Sequence, residues 1–297
     1  MLIAQISDLH VRPPGELAYG VSETNGSAER AIHALLRLDP RPDVVILTGD
    51  ATDCGLDAEY AVLLDLLGRL PMPVYAVPGN HDRRDAMRDA FSAGGYLPAL
   101  GALNFAVETR PVRLIGLDSL VPGESHGALE PATLDFLDAA LAAAPEVPAL
   151  VFVHHPPFVC GIGHMDRIRL IEGADRLEAI LSAHPQVERL VTGHHHRAVQ
   201  VRFGGTLCQI APSVAHQVAL DLRDEAPSCF VLEPGAFLLH HWVPGVGLVT
   251  HTAAVDRAPG PFPFVLPDDY PGSPTAMAGG EGLVLQPSLR VQGGMEG

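Results

Sequence analysis

The chain contains no lysine. All 19 of its basic residues are arginine, set against 35 acidic residues, for a formal charge of −16 at pH 7. That balance excludes a protein that coats DNA or RNA, which needs a basic stripe, so no nucleic-acid polymer is expected as a partner. It still admits a small anionic substrate, because bound cations invert the local field. Cysteine is scarce. Cys54, Cys160, Cys208 and Cys229 are far apart and form no C-x-x-C pair, so a disulfide scaffold or cysteine-zinc site is not expected and the four read as buried reduced thiols. Aromatic residues make up 5% of the chain, too few to favour an aromatic-lined binding groove. No segment offers the roughly 20 uninterrupted apolar residues of a membrane span, and the opening Leu2–Ile6 run is too short for a signal-peptide core. The expectation is a soluble, cytoplasmic protein with no membrane partner.

What the chain does have is a packed-core composition, 47% hydrophobic over 297 residues, which argues against disorder over most of its length. It also has 15 histidines, and they cluster. The length allows one large domain with an appendage.

Over the first 200 residues or so, strand-like and helix-like segments alternate. Leu2–Ile6, Val44–Thr48 and Val74–Val77 read as short buried strands. Ala28–Leu38, Asp57–Leu70 and Asp82–Phe91 read as helices, the first two stopping at Pro40 and Pro71. This β-α-β-α-β-α order predicts a layered α/β fold with helices covering a sheet. Next come paired strands over Asn104–Thr109 and Val112–Asp118, and a helix over Pro131–Ala143. Ala149–Val153 is a buried strand, Gly173–Ala183 a helix and Arg189–Thr192 a short strand. Ala198–Phe203 and Thr206–Ile210 form a hairpin turned by Gly204-Gly205, so the sheets are mixed. The catalytic domain is taken as 1–212. Residues 213–297 are taken as a C-terminal cap or dimerisation extension, with possible strands at Cys229–Glu233, Ala236–Trp242 and Gly247–Thr252 and a Pro/Gly-rich tail after Val255.

The chemistry sits at the strand ends. Leu2–Ile6 is followed by Asp8 and His10, Val44–Thr48 by Gly49-Asp50, and Val74–Val77 by Gly79-Asn80-His81-Asp82. Ala149–Val153 is followed by His154-His155-Pro-Pro, and Arg189–Thr192 by Gly193-His194-His195-His196. In α/β sheets ligands bind at the carboxyl ends of strands, so neighbouring strands would bring these tips together. Asp8 and His10 are two apart, as are His194 and His196, so regular strands would aim each pair at one face. Carboxylate, amide oxygen and imidazole nitrogen suit borderline ions such as Zn, Mn or Fe. Seven ligands, Asp8, His10, Asp50, Asn80, His154, His194 and His196, exceed the needs of one tetrahedral ion and suit two if Asp50 bridges. Each signature alone has a plain structural reading, Gly-Asp as a turn or cap and a lone histidine as a satisfied core residue. Their joint occurrence at five strand ends does not. Arg83, Arg84 and Arg88 read as a solvated helix face.

These five blocks resemble the motifs of the calcineurin-like metallophosphoesterase superfamily over roughly residues 1–215. The wording ISDxH, RPDxVxxxGD, PGNHD and HHPP is similar to that of bacterial class III cyclic-nucleotide phosphodiesterases and GpdQ-type glycerophosphodiesterases. The resemblance implies a four-layer αββα sandwich around a dinuclear centre. One ion would take Asp8, His10, Asp50 and His196, and the other Asp50, Asn80, His154 and His194. His81 would lie just outside, near the substrate phosphate, with Asn80, Tyr19 and His216 in the substrate pocket. His155 and His195 would point away from the ions. Cys54 lies in the family-like TDCG, but no cysteine follows Cys229 to cross-link the tail. The implied activity is hydrolysis of small phosphodiesters, 3′,5′- or 2′,3′-cyclic nucleotides or glycerophosphodiesters, by in-line attack of a hydroxide bridging two transition-metal ions. Asp50 and His81 would be the catalytic residues, and a homodimer or higher homo-oligomer the assembly. The rival readings are a phosphomonoesterase using the same centre and a non-catalytic metal- or nucleotide-binding scaffold.

Overall fold

The computed structural model describes residues 1–262. The chain divides into two units, Met1–Arg257 and Ala258–Gly297, and every element named below belongs to the first. The tail expected after Val255 lies, from residue 263 on, outside the described residues.

In chain order the strands are β1 (Leu2–Ile6), β2 (Val44–Thr48), β3 (Val74–Val77), β4 (Phe105–Val107), β5 (Arg113–Leu117), β6 (Gly127–Ala128), β7 (Ala149–Val153), β8 (Leu170–Glu172), β9 (Val187–Thr192), β10 (Val199–Phe203), β11 (Thr206–Ile210), β12 (Gln217–Val218), β13 (Phe230–Val231), β14 (Ala236–Val243) and β15 (Gly247–Ala254). The helices are α1 (Thr24–Leu36), α2 (Asp57–Leu67), α3 (Arg84–Ala90), α4 (Pro131–Ala142), α5 (Gly163–Asp166) and α6 (Ala174–Ala183). One mixed sheet runs β15-β14-β1-β2-β3, with β1, β2 and β3 parallel; the other runs β10-β11-β9-β7-β5-β4, with β11, β9, β7 and β5 parallel.

Strand alternation explains why the sheets stack. Ile3, Val44, Ile46 and Val77 of the first sheet meet Leu114, Leu150, Phe152 and Val191 of the second in one buried cluster. The residues between them face the other way. Ala4, Ile6, Val45 and Leu47 pack on Ile32 and Leu35 of α1 and Leu63 and Leu67 of α2. Ile115, Leu117, Val151 and Val153 pack on Leu134, Leu137 and Leu141 of α4 and Leu177 and Leu181 of α6. Strands apolar on both faces must be covered on both, which yields helix, sheet, sheet, helix.

The helices start and stop for local reasons. The Glu59 carboxylate at the third position of α2 accepts from the backbone N–H groups of Leu56 and Cys54, at 3.0 and 2.9 Å. Pro131 occupies the first turn of α4, where its missing N–H costs nothing. Gly204 and Gly205, both at positive φ, close the β10–β11 hairpin.

Two expectations are corrected. Of the four cysteines, only Cys208 is buried; Cys160 is half-buried and Cys54 and Cys229 are exposed, because they sit in loops rather than on sheet faces. The arginines of α3 are not a free solvated face. Arg84 forms a fork on Asp118 at 2.6 and 3.0 Å, which ties the helix to the end of β5, and Arg88 donates to the carbonyls of Pro98 and Gly101 at 3.0 and 2.7 Å, which ties it to the following loop. β14 and β15, which fall in the 213–297 segment, extend the first sheet through β1. No described helix is long and apolar enough to cross a membrane.

Candidate metal centre

β1, β2 and β3 of one sheet and β7 and β9 of the other end on the same side, and the loops after them carry the predicted ligands. The means of convergence differs from the strand alternation expected. Asp8, His10, Asp50, His194 and His196 all lie beyond their strands in the left-handed region, with φ of 55°, 47°, 47°, 69° and 46°. With Tyr19 at 52°, they are the six non-glycine residues of positive φ among the described residues. Such backbone costs about 1–3 kcal/mol per residue and persists only where the surroundings enforce it. Two glycines permit the crowding. A Cβ on Gly79 would lie 2.2 Å from Asp50 Oδ1, and one on Gly49 would lie 2.3 Å from His154 Nδ1.

The tautomers are set by fixed acceptors. His154 Nδ1–H donates to the Thr48 carbonyl at 2.7 Å, and His196 Nδ1–H to the His216 carbonyl at 2.8 Å. His10 Nδ1–H donates to Asp53 Oδ1 at 3.1 Å. Each leaves Nε2 bare. His194 is turned over: its Nε2–H donates to the Ile168 carbonyl at 3.0 Å, leaving Nδ1 bare.

The bare nitrogens face other acceptors. His10 Nε2 and His196 Nε2 are 3.2 Å apart. His196 Nε2 is 3.3 Å from Asp8 Oδ1, and His10 Nε2 is 3.7 Å from Asp50 Oδ2. His154 Nε2 lies 3.3 Å from Asp50 Oδ2 and 3.2 Å from Asn80 Oδ1. Ligand atoms of Asp8, His10, Asp50 and His196 all fall within 4.8 Å of one another, and so do those of His154, His155 and His194. Lone pairs turned on each other in a buried site repel, and without protons only cations between them relieve that repulsion. The donor set therefore fits two metal ions sharing Asp50. Burial raises the Asp50 carboxyl, but His154 and His81 outweigh it and hold the group well below the usual carboxylate range. Burial also opposes a charged His154, yet Asp50 and Asp8 together push it up to about 9, so its Nε2 is bare only where a metal ion takes the place of the proton.

His81 stands at the edge of this cluster. Its backbone N–H donates to Asp50 Oδ1 at 3.0 Å, and its Nδ1–H to the Asp53 carbonyl at 2.7 Å. Its Nε2 is 3.5 Å from the Tyr19 hydroxyl. Tyr19, His216 and Phe230 pack as an aromatic wall, with ring centroids 4.9–5.6 Å apart. Floor and wall enclose a pocket of about 360 Å³ that Asn80 and His194 also line. A wider groove of about 1150 Å³ adjoins it at Asn80 and His81 but holds no cluster of bare nitrogens, so the smaller pocket is where chemistry would occur.

Five of the seven predicted ligands, His10, Asp50, Asn80, His194 and His196, line one cavity with His81, Tyr19 and His216, and the other two, Asp8 and His154, are buried against His196 and Asp50. His155 and His195 do not line it; His155 Nδ1 pairs with Ser119 Oγ at 2.7 Å and His195 Nδ1 lies 3.4 Å from Cys160 Sγ. Sequence reasoning missed the supports. Asp53 fixes His10. Asp82 accepts from the backbone N–H groups of Ala51, Thr52 and Gly79 at 3.0–3.1 Å and from the Tyr60 hydroxyl at 3.0 Å, locking the β2 and β3 loops together. Both acids lie within quoted motifs and were visible there. The carbonyls of Thr48, Ile168 and His216 carry no sequence signal, because any residue supplies one.

Residues 1–198 match the calcineurin-like phosphoesterase family. The chain belongs to that family. It is 38% identical over 264 residues to the "Probable glycerophosphodiester phosphodiesterase GpdQ" of Arcobacter nitrofigilis, covering 89% of this chain and 97% of the relative. It is 31% identical over 220 residues to the 3′,5′-cyclic adenosine monophosphate phosphodiesterase CpdA of Pseudomonas aeruginosa, covering 74% of this chain and 78% of the relative. Among solved structures, a dimetal phosphatase from Danio rerio superposes with a TM-score of 0.58 at 16% identity, covering 86% of this chain and 99% of that one, a likeness of fold. Calcineurin-like phosphoesterases work through a dinuclear metal centre, and the paired clusters of bare donors match that requirement.

Proposed function

We propose that this calcineurin-like phosphoesterase hydrolyses small phosphodiesters, glycerophosphodiesters or cyclic nucleotides, at two metal ions. One observation carries the reading: four imidazoles, each held by a fixed acceptor, turn bare nitrogens into one buried site, those of His10, His154 and His196 onto carboxylate or amide oxygens. The names of the relatives support the substrate class. Asp8, His10, Asp50 and His196 would hold one ion and Asp50, Asn80, His154 and His194 the other. Oxygen and imidazole donors without thiolate suit Fe, Mn or Zn. When bound, such ions polarise phosphoryl oxygens and make water a nucleophile at neutral pH.

The chain's own residues do the rest. Asp50 keeps its charge and spans both clusters. His81, its Nδ1 occupied by the Asp53 carbonyl, presents Nε2 to the pocket, where it hydrogen-bonds the phosphate or gives a proton to the leaving oxygen. Burial keeps the Tyr19 hydroxyl protonated, so it donates beside His81. The wall of Tyr19, His216 and Phe230 shapes the space for a substituent. We further propose that residues 213–297 serve as the cap and dimer contact of a cytoplasmic homo-oligomer.

The test is to reconstitute the protein separately with Mn, Fe, Zn and Co and compare bis(p-nitrophenyl) phosphate with p-nitrophenyl phosphate. Faster turnover of the diester supports the proposal, and preference for the monoester makes the protein a phosphomonoesterase. His81→Ala is expected to lower kcat about 10²–10⁴-fold with two ions retained per chain. Parallel loss of metal would instead make His81 a ligand.

A further inference from the structure

The pocket is lined also by His164, Met165, Ile168 and Val218, the last paired with Phe230 of the aromatic wall. His164 and Met165 lie on α5, a helix of four residues with no motif in its sequence. Met165, Ile162 and Val218 form a small apolar cluster of their own, joined by Ile168. The segment is held in place twice. Asp166 accepts from the backbone N–H groups of Cys160 and Gly161 at 2.8 and 2.9 Å. The Ile168 carbonyl accepts from His194, a residue of the candidate centre, at 3.0 Å. This wall is therefore fixed relative to the ion-binding floor.

Six histidines line the pocket. Four are used up by the fold: His10, His81, His194 and His196 each give one ring nitrogen to a fixed acceptor. His216 has its Nδ1 buried without a partner, and its ring is packed between His10 and Phe230. His164 is the other exception. It is 9% exposed, its Nδ1 is buried without a partner, and neither ring nitrogen makes a hydrogen bond to the described residues. Burial, with Arg167 adding to it, pulls its pKa below the usual histidine range, so the ring meets a ligand uncharged. A buried imidazole unpaired in the protein is costly, and the fold gains no contact from this one that an apolar side chain would not supply better. Met165, Ile168 and Val218 beside it are apolar, and Ser125 and Ser228 are further hydroxyl-bearing side chains that line the pocket.

We infer that His164 is a specificity-determining residue that hydrogen-bonds a free hydroxyl on the alcohol esterified to the phosphate. This rests on the phosphodiesterase reading above and goes beyond it. The floor recognises the phosphate alone. His164 selects diesters whose alcohol is a polyol, glycerol or ribose, over those whose alcohol is a plain aryl or alkyl group. An uncharged imidazole suits a hydroxyl, because its reachable nitrogen, Nε2, donates or accepts according to tautomer.

The experiment measures kcat/KM for glycerophosphoethanolamine, 3′,5′-cyclic AMP, its 2′-deoxy analogue and bis(p-nitrophenyl) phosphate. It uses wild type, His164→Ala and His164→Asn, each verified to hold two ions and to melt cooperatively. The expected result is that His164→Ala lowers the ratio of a hydroxyl-bearing diester to bis(p-nitrophenyl) phosphate roughly tenfold, the loss falling on KM. His164→Asn, which keeps a donor and an acceptor, restores part of that ratio. If the lost discrimination is confined to the glycerol diester the hydroxyl is glycerol's, and if it separates cyclic AMP from its deoxy analogue it is ribose's. A ratio within twofold of wild type in His164→Ala overturns the inference while leaving the diesterase reading intact. Failure of the wild-type protein to cleave any of the four diesters overturns that reading, and this inference with it.

Discussion

At the scale of single residues, the centre is a set of side chains whose preferred conformations have been overruled. Asp8, His10, Asp50, His194 and His196 occupy left-handed backbone that residues other than glycine seldom adopt, and their bare donors face one another. Strain and repulsion of this kind are kept up by supports such as Asp53. Its carboxylate, 3.1 Å from His10 Nδ1, fixes the tautomer and adds charge behind the ring. Asp53→Ala should therefore weaken metal retention about 10–100-fold in a chelator competition, while Asp53→Asn, which still accepts from Nδ1–H, should lose less. Equal retention by wild type and both variants would remove Asp53 from the centre.

At the scale of elements, β14 does more than lengthen a sheet. His240, opposite Ile3 of β1, has both ring nitrogens paired: Nδ1 with Thr250 Oγ1 at 2.9 Å and Nε2 with Gln5 Oε1 at 3.1 Å. Gln5 Nε2 in turn donates to Thr48 Oγ1 on β2 and to the Thr192 carbonyl on β9, at 3.0 and 2.9 Å. A polar stitch thus crosses between the sheets just beneath the ligand loops. Burial, helped by nearby Arg189, pushes His240 down to about 3. The unfolded chain takes up that proton near the ordinary value of about 6.5, so the stabilisation is complete above that pH and is lost as pH falls toward about 3. Urea melts between pH 7 and pH 4 should show a steeper loss of stability in wild type than in His240→Gln. The slopes should differ by up to ~1.4 kcal/mol per pH unit, one proton's worth. Parallel slopes would mean that His240 titrates alike in both states.

The elements also show how far sequence reading carries. All the long strands and helices were legible, because runs such as Val44–Thr48 and the spacing in Asp57–Leu67 follow from burial of strand faces and a helix stripe. β6, β8, β12 and α5 were not, since two to four residues carry no period. With α5 went His164, which sits between Ile162 and Met165, two residues that pack on Val218 about fifty positions later. The pairing of Asp8 with His10 was read correctly from spacing but for the wrong reason, because a turn of left-handed residues, and not a regular strand, aims them.

At the scale of the molecule, each sheet holds only part of the site. The first supplies Asp8, His10, Asp50 and Asn80 and the second His154, His194 and His196, so ions bound between them would cross-link the two layers. The boundary drawn at residue 212 has a structural consequence. A chain ending there lacks β14, which pairs with β1, and loses Val214, Phe237 and Val255 from the core beneath α1 and α2. Removing three buried apolar side chains and exposing a central strand edge costs about 2–5 kcal/mol per side chain, comparable with the whole stability of a domain. Residues 1–212 expressed alone should be insoluble or melt without cooperativity by calorimetry. A sharp transition would show that they fold without the extension.

The sequence by itself determined which atoms are available: seven candidate oxygen and nitrogen ligands, each one to four residues past a strand. It determined the layers as well, because strands apolar on both faces have to be covered on both. The tertiary structure alone decided which nitrogen of each histidine is free, since that depends on the carbonyls of Thr48, Ile168 and His216, brought from elsewhere in the chain. A carbonyl belongs to every residue and marks none, so the direction of a lone pair is written in the fold.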